Sequence, residues 1–123
     1  MAWLMVAVGG AIGSVARYGV AATIVRWFGS PVPMATAIVN IAGCAVAGLL
    51  MGLAASGRLT LTVEQRALIF TGILGGLTTF SGLGMDTLLL VQQGRTAAAL
   101  TNILGQLAVG IGILAVCFSV ARG

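Results

Sequence analysis

The sequence predicts an all-α membrane protein built from four transmembrane helices, the third of them broken near its middle. Three observations carry this. Of 123 residues, 59% are hydrophobic and only 7% are charged, where a soluble domain carries about 25% charged residues. Four apolar segments, at about 2–26, 33–55, 66–92 and 97–120, each meet the roughly 20 residues needed to span a ~30 Å hydrocarbon core. Inside the third segment stands Gly75-Gly76-Leu77-Thr78-Thr79-Phe80-Ser81, poor material for a continuous helix in lipid. Irregular backbone at membrane depth is tolerated only where protein buries it or a wet cavity receives it, so the break marks a candidate site near the midplane.

The first segment has no basic region ahead of its apolar stretch and runs past Arg17 without a small-residue cleavage site; it is read as the first span and not as a signal peptide. Gly29-Ser30-Pro31-Val32-Pro33 forms a turn whose prolines suit the entry to the second helix. Ser56-Gly57-Arg58 ends that helix. Thr62, with Gln65 three residues later, reads as a capping box opening the third. Gly94 is placed to end the third helix, and Arg95-Thr96 leads into the fourth. No repeat or soluble domain interrupts the chain, so residues 1–123 are expected to form one four-helix transmembrane domain.

Charge is sparse: Arg17, Arg26, Arg58, Arg66, Arg95, Arg122, Glu64 and Asp86 complete it, and there is no His. The net charge of +4 is spread along membrane flanks without a cluster, which excludes a nucleic-acid footprint. Four spans put Arg58, Arg66 and Arg122 on one side; Arg26 and Arg95 lie on the other, and Arg17 leans that way. Orientation follows an excess of Lys and Arg on one side, and here there is almost none. Two readings stay open: insertion in both orientations, giving an antiparallel pair of identical chains, or a single orientation set by one dominant loop. The pairs Gly9/Gly13, Gly48/Gly52 and Gly72/Gly76 are spaced by four, a packing signal that lets helix backbones approach closely. Cys44 and Cys117 are isolated within apolar segments and read as packing residues.

Polar side chains inside a span are costly and are candidates for function. They are Arg17 in the first segment, Thr36 and Asn40 in the second, Thr78, Thr79, Ser81 and Asp86 in the third, and Asn102 and Gln106 in the fourth. Thr36/Asn40 and Asn102/Gln106 are each four apart and share a helix face. Any one of them could simply join helices together, but as a set the hydroxyls and amides recur on three helices and converge on one break. The set is rich in hydrogen-bond donors and nearly free of acids, which suits an anion. Phe80 adds an aromatic ring, whose edge is partly positive.

Three ordered stretches resemble the CrcB family, the Fluc fluoride channels: Gly9-Gly10-Ala11-Ile12-Gly13-Ser14-Val15-Ala16-Arg17-Tyr18, Thr36-Ala37-Ile38-Val39-Asn40-Ile41-Ala42-Gly43, and Gly75-Gly76-Leu77-Thr78-Thr79-Phe80-Ser81. The resemblance covers essentially the whole chain. It implies an antiparallel, dual-topology dimer with two pores in the cell inner membrane, exporting fluoride passively. By carry-over Asn40, Phe80 and Ser81 line the fluoride path, Arg17 sits toward a vestibule, and the carbonyls of Gly75 and Thr78 help hold a structural sodium ion at the dimer centre. The family usually follows Phe-Ser with Thr-Phe, where this chain has Gly82-Leu83. Leu83 on the path keeps bulk without a ring edge, and Gly82 loses a hydroxyl. Either the chain conducts with one aromatic edge missing per pore wall, or a heterodimer with a second family subunit supplies one; the near-balanced arginines favour the homodimer. The family's usual Glu further along is Asp86, whose plain reading is a vestibule or helix-end carboxylate paired with an arginine.

Two other functions fit four small helices. A proton-coupled multidrug exporter needs a titratable acid facing its substrate, typically in the first helix, which has none. A non-transporting membrane subunit would use the glycines and polar groups only for assembly. Enzyme chemistry has no footing, because without His and with one acid in the spans no nucleophile–base pair or metal cluster can be assembled.

Overall fold

A computed structural model describes residues 1–29 and 33–123; Ser30, Pro31 and Val32, the middle of the expected proline turn, lie outside the described residues. The described residues are helical without a strand. The first span is α1 (Ala2–Phe28) and the second α2 (Met34–Ala55). The third (Val63–Gln92) is composite: α3 (Val63–Arg66), a π-helical stretch (Ala67–Leu74), α4 (Gly75–Leu77) and α5 (Phe80–Gln92). The fourth is α6 (Thr96–Arg122). All four spans are long and apolar enough to cross a membrane, which makes this a multi-pass membrane protein.

The ends of the spans follow local chemistry. Thr62 Oγ1 accepts from Gln65 N–H at 3.2 Å while Thr62 N–H donates to Gln65 Oε1 at 2.9 Å, the reciprocal capping box that satisfies two orphan donors. Gly94, with φ 72°, takes the left-handed turn that ends the third span, a conformation costly for residues with a Cβ. Trp3 and Trp27, both largely exposed, stand about 36 Å apart along α1 at 1.5 Å per residue. That separation places one indole near each membrane interface, where amphipathic rings prefer to sit.

The spans pack in two close pairs, α2 on α6 and α1 on the π-helical stretch and α4. Small residues make both possible. A Cβ on Gly13 would strike the Ile73 carbonyl oxygen and come within 2.8 Å of Leu77 N, and one on Gly76 would lie 2.6 Å from the Gly10 carbonyl oxygen. A Cβ on Gly48 or Gly52 would strike the carbonyl oxygens of Leu114 or Phe118. The three glycine pairs seen in the sequence therefore mark backbone-to-backbone crossings, the favoured mode of association where lipid is as apolar as the side chains.

The break falls inside the expected stretch Gly75–Ser81, at its two threonines. Gly75 is helical (φ −64°, ψ −35°), and Gly75–Leu77 forms a helical turn. The backbone leaves the helix at Thr78 (ψ 156°) and Thr79 (φ −152°, ψ 115°). Glycine supplies closeness to α1, and the two β-branched threonines, at home in extended backbone, supply the break.

Candidate functional site

A break in a membrane span frees backbone groups that must find partners. Here one side chain takes both groups of Thr79. Thr79 N–H donates to Asn40 Oδ1 at 2.7 Å, and Asn40 Nδ2 donates to the Thr79 carbonyl at 3.2 Å. The amide from α2 thus stands in for the missing helical bonds, as a neighbouring strand would. Thr79 also caps α5: its Oγ1 accepts from Gly82 N–H at 2.9 Å and lies 3.1 Å from Ser81 Oγ. Gly82 leaves room for that cap, since a Cβ there would lie 2.7 Å from Thr79 Cγ2. Gly43 does the same for Thr78, whose Cγ2 occupies the space of the absent Cβ.

The Asn40 amide begins a chain of hydrogen bonds. Asn40 Nδ2 donates to Gln106 Oε1 at 2.9 Å, Gln106 Nε2 to Asn102 Oδ1 at 2.9 Å, Asn102 Nδ2 to Thr87 Oγ1 at 3.0 Å, and Thr87 Oγ1 to the Leu83 carbonyl at 2.7 Å. Its sense is fixed at one end. A backbone N–H can only donate, so Thr79 N–H compels Asn40 to present its oxygen there, and each amide after it is oriented in turn. Gln106 and Asn102 are the two buried polar side chains among the described residues, and their partners answer the requirement that buried polar groups be hydrogen-bonded.

Three cavities meet at the break. The first, of about 250 Å³, is bordered by Asn40, Thr78, Thr79, Phe80, Leu83 and Gln106. The second, of about 390 Å³, is bordered by Arg17, Thr36, Thr79, Ser81, Gly82 and Met85. The third, of about 240 Å³, lies among Gly43, Phe70, Leu74, Gly75 and Thr78. Arg17 is the one charged side chain bordering any of the three, and no carboxylate does, so the local field favours anions.

The expected site residues divide among these spaces. Asn40, Phe80 and Leu83 share the first cavity; Phe80 is 78% exposed in the single chain and Leu83 is buried. Ser81 and Arg17 border the second. Gly75 and Thr78 meet at the third. Asp86 borders none of them, and its buried Oδ2 has no hydrogen-bond partner; the expected pairing with an arginine is not made at that oxygen.

The family described as "CrcB-like protein, Camphor Resistance (CrcB)" matches residues 4–119. This chain belongs to the CrcB family. A relative named fluoride-specific ion channel FluC from Methylobacillus flagellatus is 38% identical over 97% of this chain and 93% of its own. A namesake from Rhizobium leguminosarum bv. trifolii is 42% identical, covering 96% and 92%. Another from Thermus thermophilus is 40% identical, covering 89% and 86%.

In this CrcB chain the sequence pointed to Asn40, Phe80 and Ser81 but not to how they are held. The spacing of Asn102 and Gln106 put them on one face, where they do bond each other. That Gln106 engages Asn40, 66 residues away in the chain, had no sequence signal. Thr87 carried none either.

Proposed function

We propose that the chain is a subunit of a fluoride-selective channel that lets fluoride leave the cell passively. The observation that carries this reading is a cavity at a helix break, edged by Asn40, Thr78, Thr79 and Gln106 and free of carboxylates, in a chain that aligns nearly end to end with fluoride-specific channels. Fluoride is small and a strong hydrogen-bond acceptor, so a narrow path of hydroxyls, amides and a ring edge selects it over larger halides. Asn40, Phe80 and Ser81 line the path, Leu83 fills the wall without a ring edge, and Arg17 concentrates anions in the second cavity. An interior-negative potential drives an anion outward by about 2.3 kcal/mol per 100 mV, so no covalent step or energy-coupled reaction is required.

The channel is an antiparallel homodimer with two pores, in the cell inner membrane. Support comes from the surface of the single chain. Gly75 and Ser81 are exposed at the break, where the carbonyls of Gly75 and Thr78 lose their helical donors, and lipid cannot satisfy such groups; a second copy covers them. The near-even arginines support antiparallel insertion and a homodimer over a pair with a second family subunit, whose members would need opposite biases.

A structural sodium ion belongs at the centre of that dimer, held by the carbonyls of Gly75 and Thr78. Their fit is supported by the hydrogen bonding: the N–H of Thr79 goes to Asn40 and that of Gly82 to Thr79 Oγ1, so both carbonyls lose the donor four residues on. Hard cations take such oxygens.

The test is fluoride efflux from proteoliposomes holding this chain alone, with chloride as control. Fluoride efflux with little chloride efflux is expected. A well-folded dimer that releases fluoride no faster than protein-free vesicles overturns the reading.

A further inference from the structure

The fixed sense of the amide chain leaves Asn40 without an idle donor. One Nδ2 hydrogen goes to the Thr79 carbonyl at 3.2 Å and the other to Gln106 Oε1 at 2.9 Å. An anion in the first cavity can take a hydrogen from Asn40 only by displacing one of these acceptors. Releasing the Thr79 carbonyl undoes the clasp on the break. Releasing Gln106 leaves the clasp intact, and Gln106 borders the same cavity as Asn40.

We propose that Gln106 sets how tightly the path holds fluoride: its Oε1 is a built-in competitor, holding the hydrogen of Asn40 that a passing fluoride takes. The proposal rests on reading the first cavity as part of the fluoride path. Hydrogen bonds to an ion are about twice as strong as neutral ones, so fluoride wins the hydrogen from an amide oxygen, but only by the difference. Binding is thereby kept weak enough for the anion to leave, as conduction requires. Displacing Gln106 costs every anion the same. The common cost cancels between anions, so the preference for fluoride over the larger, weaker acceptor chloride is left to the rest of the path. The competitor therefore speeds release without changing which anion is preferred.

The test compares the parent chain with Gln106→Met, which keeps length but neither accepts nor donates, and Gln106→Glu, which accepts as a full charge. Fluoride efflux from proteoliposomes is measured across fluoride concentrations, with the chloride-to-fluoride flux ratio and the elution volume of each purified protein. In Gln106→Met the half-saturating fluoride concentration is expected to fall about fivefold, the equivalent of one neutral hydrogen bond. Maximal efflux falls with it, and the chloride ratio stays near the parent's. In Gln106→Glu fluoride efflux falls by about tenfold or more. Should Gln106→Met not elute as the parent does, Gln106→Asn, one methylene short of Asn40, carries the same test with a fall of about twofold. A variant that folds but keeps the parent's half-saturation, whatever its maximal rate, overturns the proposal. A parent without fluoride flux overturns the channel reading instead.

Discussion

Asn40 binds Thr79 through both an accepted and a donated hydrogen bond, so its two ends are not interchangeable. Asn40→Asp tests this with the least change of shape. The carboxylate still accepts from Thr79 N–H, but its second oxygen now faces the Thr79 carbonyl and Gln106 Oε1, two acceptors that it can only repel. Each buried group left unpaired costs about 1–3 kcal/mol, so the break should shift or loosen. Fluoride efflux is expected to fall by about tenfold or more, with a lower melting temperature in detergent. Parent-like efflux would show that the clasp is dispensable. The sequence identified Asn40 as a donor near the break but presented that donor as free for an anion. The commitment of both hydrogens was not legible, because the groups that take them lie 39 and 66 residues away in the chain and no local pattern encodes such a pairing.

The third span shows what apolar pattern can and cannot convey about an element. Its start, read from Thr62 and Gln65, and its end, read from Gly94, rest on short-range hydrogen bonding and left-handed backbone, and both were legible. The π-helical stretch Ala67–Leu74 was not, since a uniformly apolar segment has no stripe whose period could separate one helix type from another. The break was legible: it falls at Thr78 and Thr79, inside the stretch that the sequence marked. Which residues of that stretch break was not legible, because glycine serves two purposes, yielding backbone and admitting a neighbour, and Gly76 serves the second. Gly76→Ala would set a Cβ 2.6 Å from the Gly10 carbonyl oxygen and force α1 and α4 apart. A destabilisation of about 1–3 kcal/mol is expected, the usual cost of overpacking, read as a fall in the denaturation midpoint. Gly105→Ala, in open space within α6, is the control. It should be neutral or raise stability by up to about 1 kcal/mol, because alanine is the better helix former. If the two variants melt alike, the glycines are not serving close approach.

At the scale of the whole molecule, the balance of arginines and the uncovered break call for the same arrangement. A face with exposed Gly75 and Ser81 and an extended backbone needs a protein neighbour in the membrane. Three arginines on one side against two or three on the other give insertion little reason to choose a direction. An antiparallel pair meets both conditions with one sequence, which makes orientation a lever on activity. Ala55→Arg with Thr60→Arg, at exposed positions flanking the second loop, adds two charges to the side that holds Arg58 and Arg66. Gln92→Arg with Gln93→Arg, also exposed, adds two to the side that holds Arg26 and Arg95. Each double variant expressed alone should insert in a single orientation, as read by the accessibility of loop cysteines introduced for labelling, and should lose fluoride efflux for want of an opposite partner. Co-expressed, the two should insert in opposite directions and regain efflux. The antiparallel arrangement is overturned if either double variant, shown to lie in one orientation, conducts as well alone as the parent does. In that case a parallel or single-chain arrangement must cover the break.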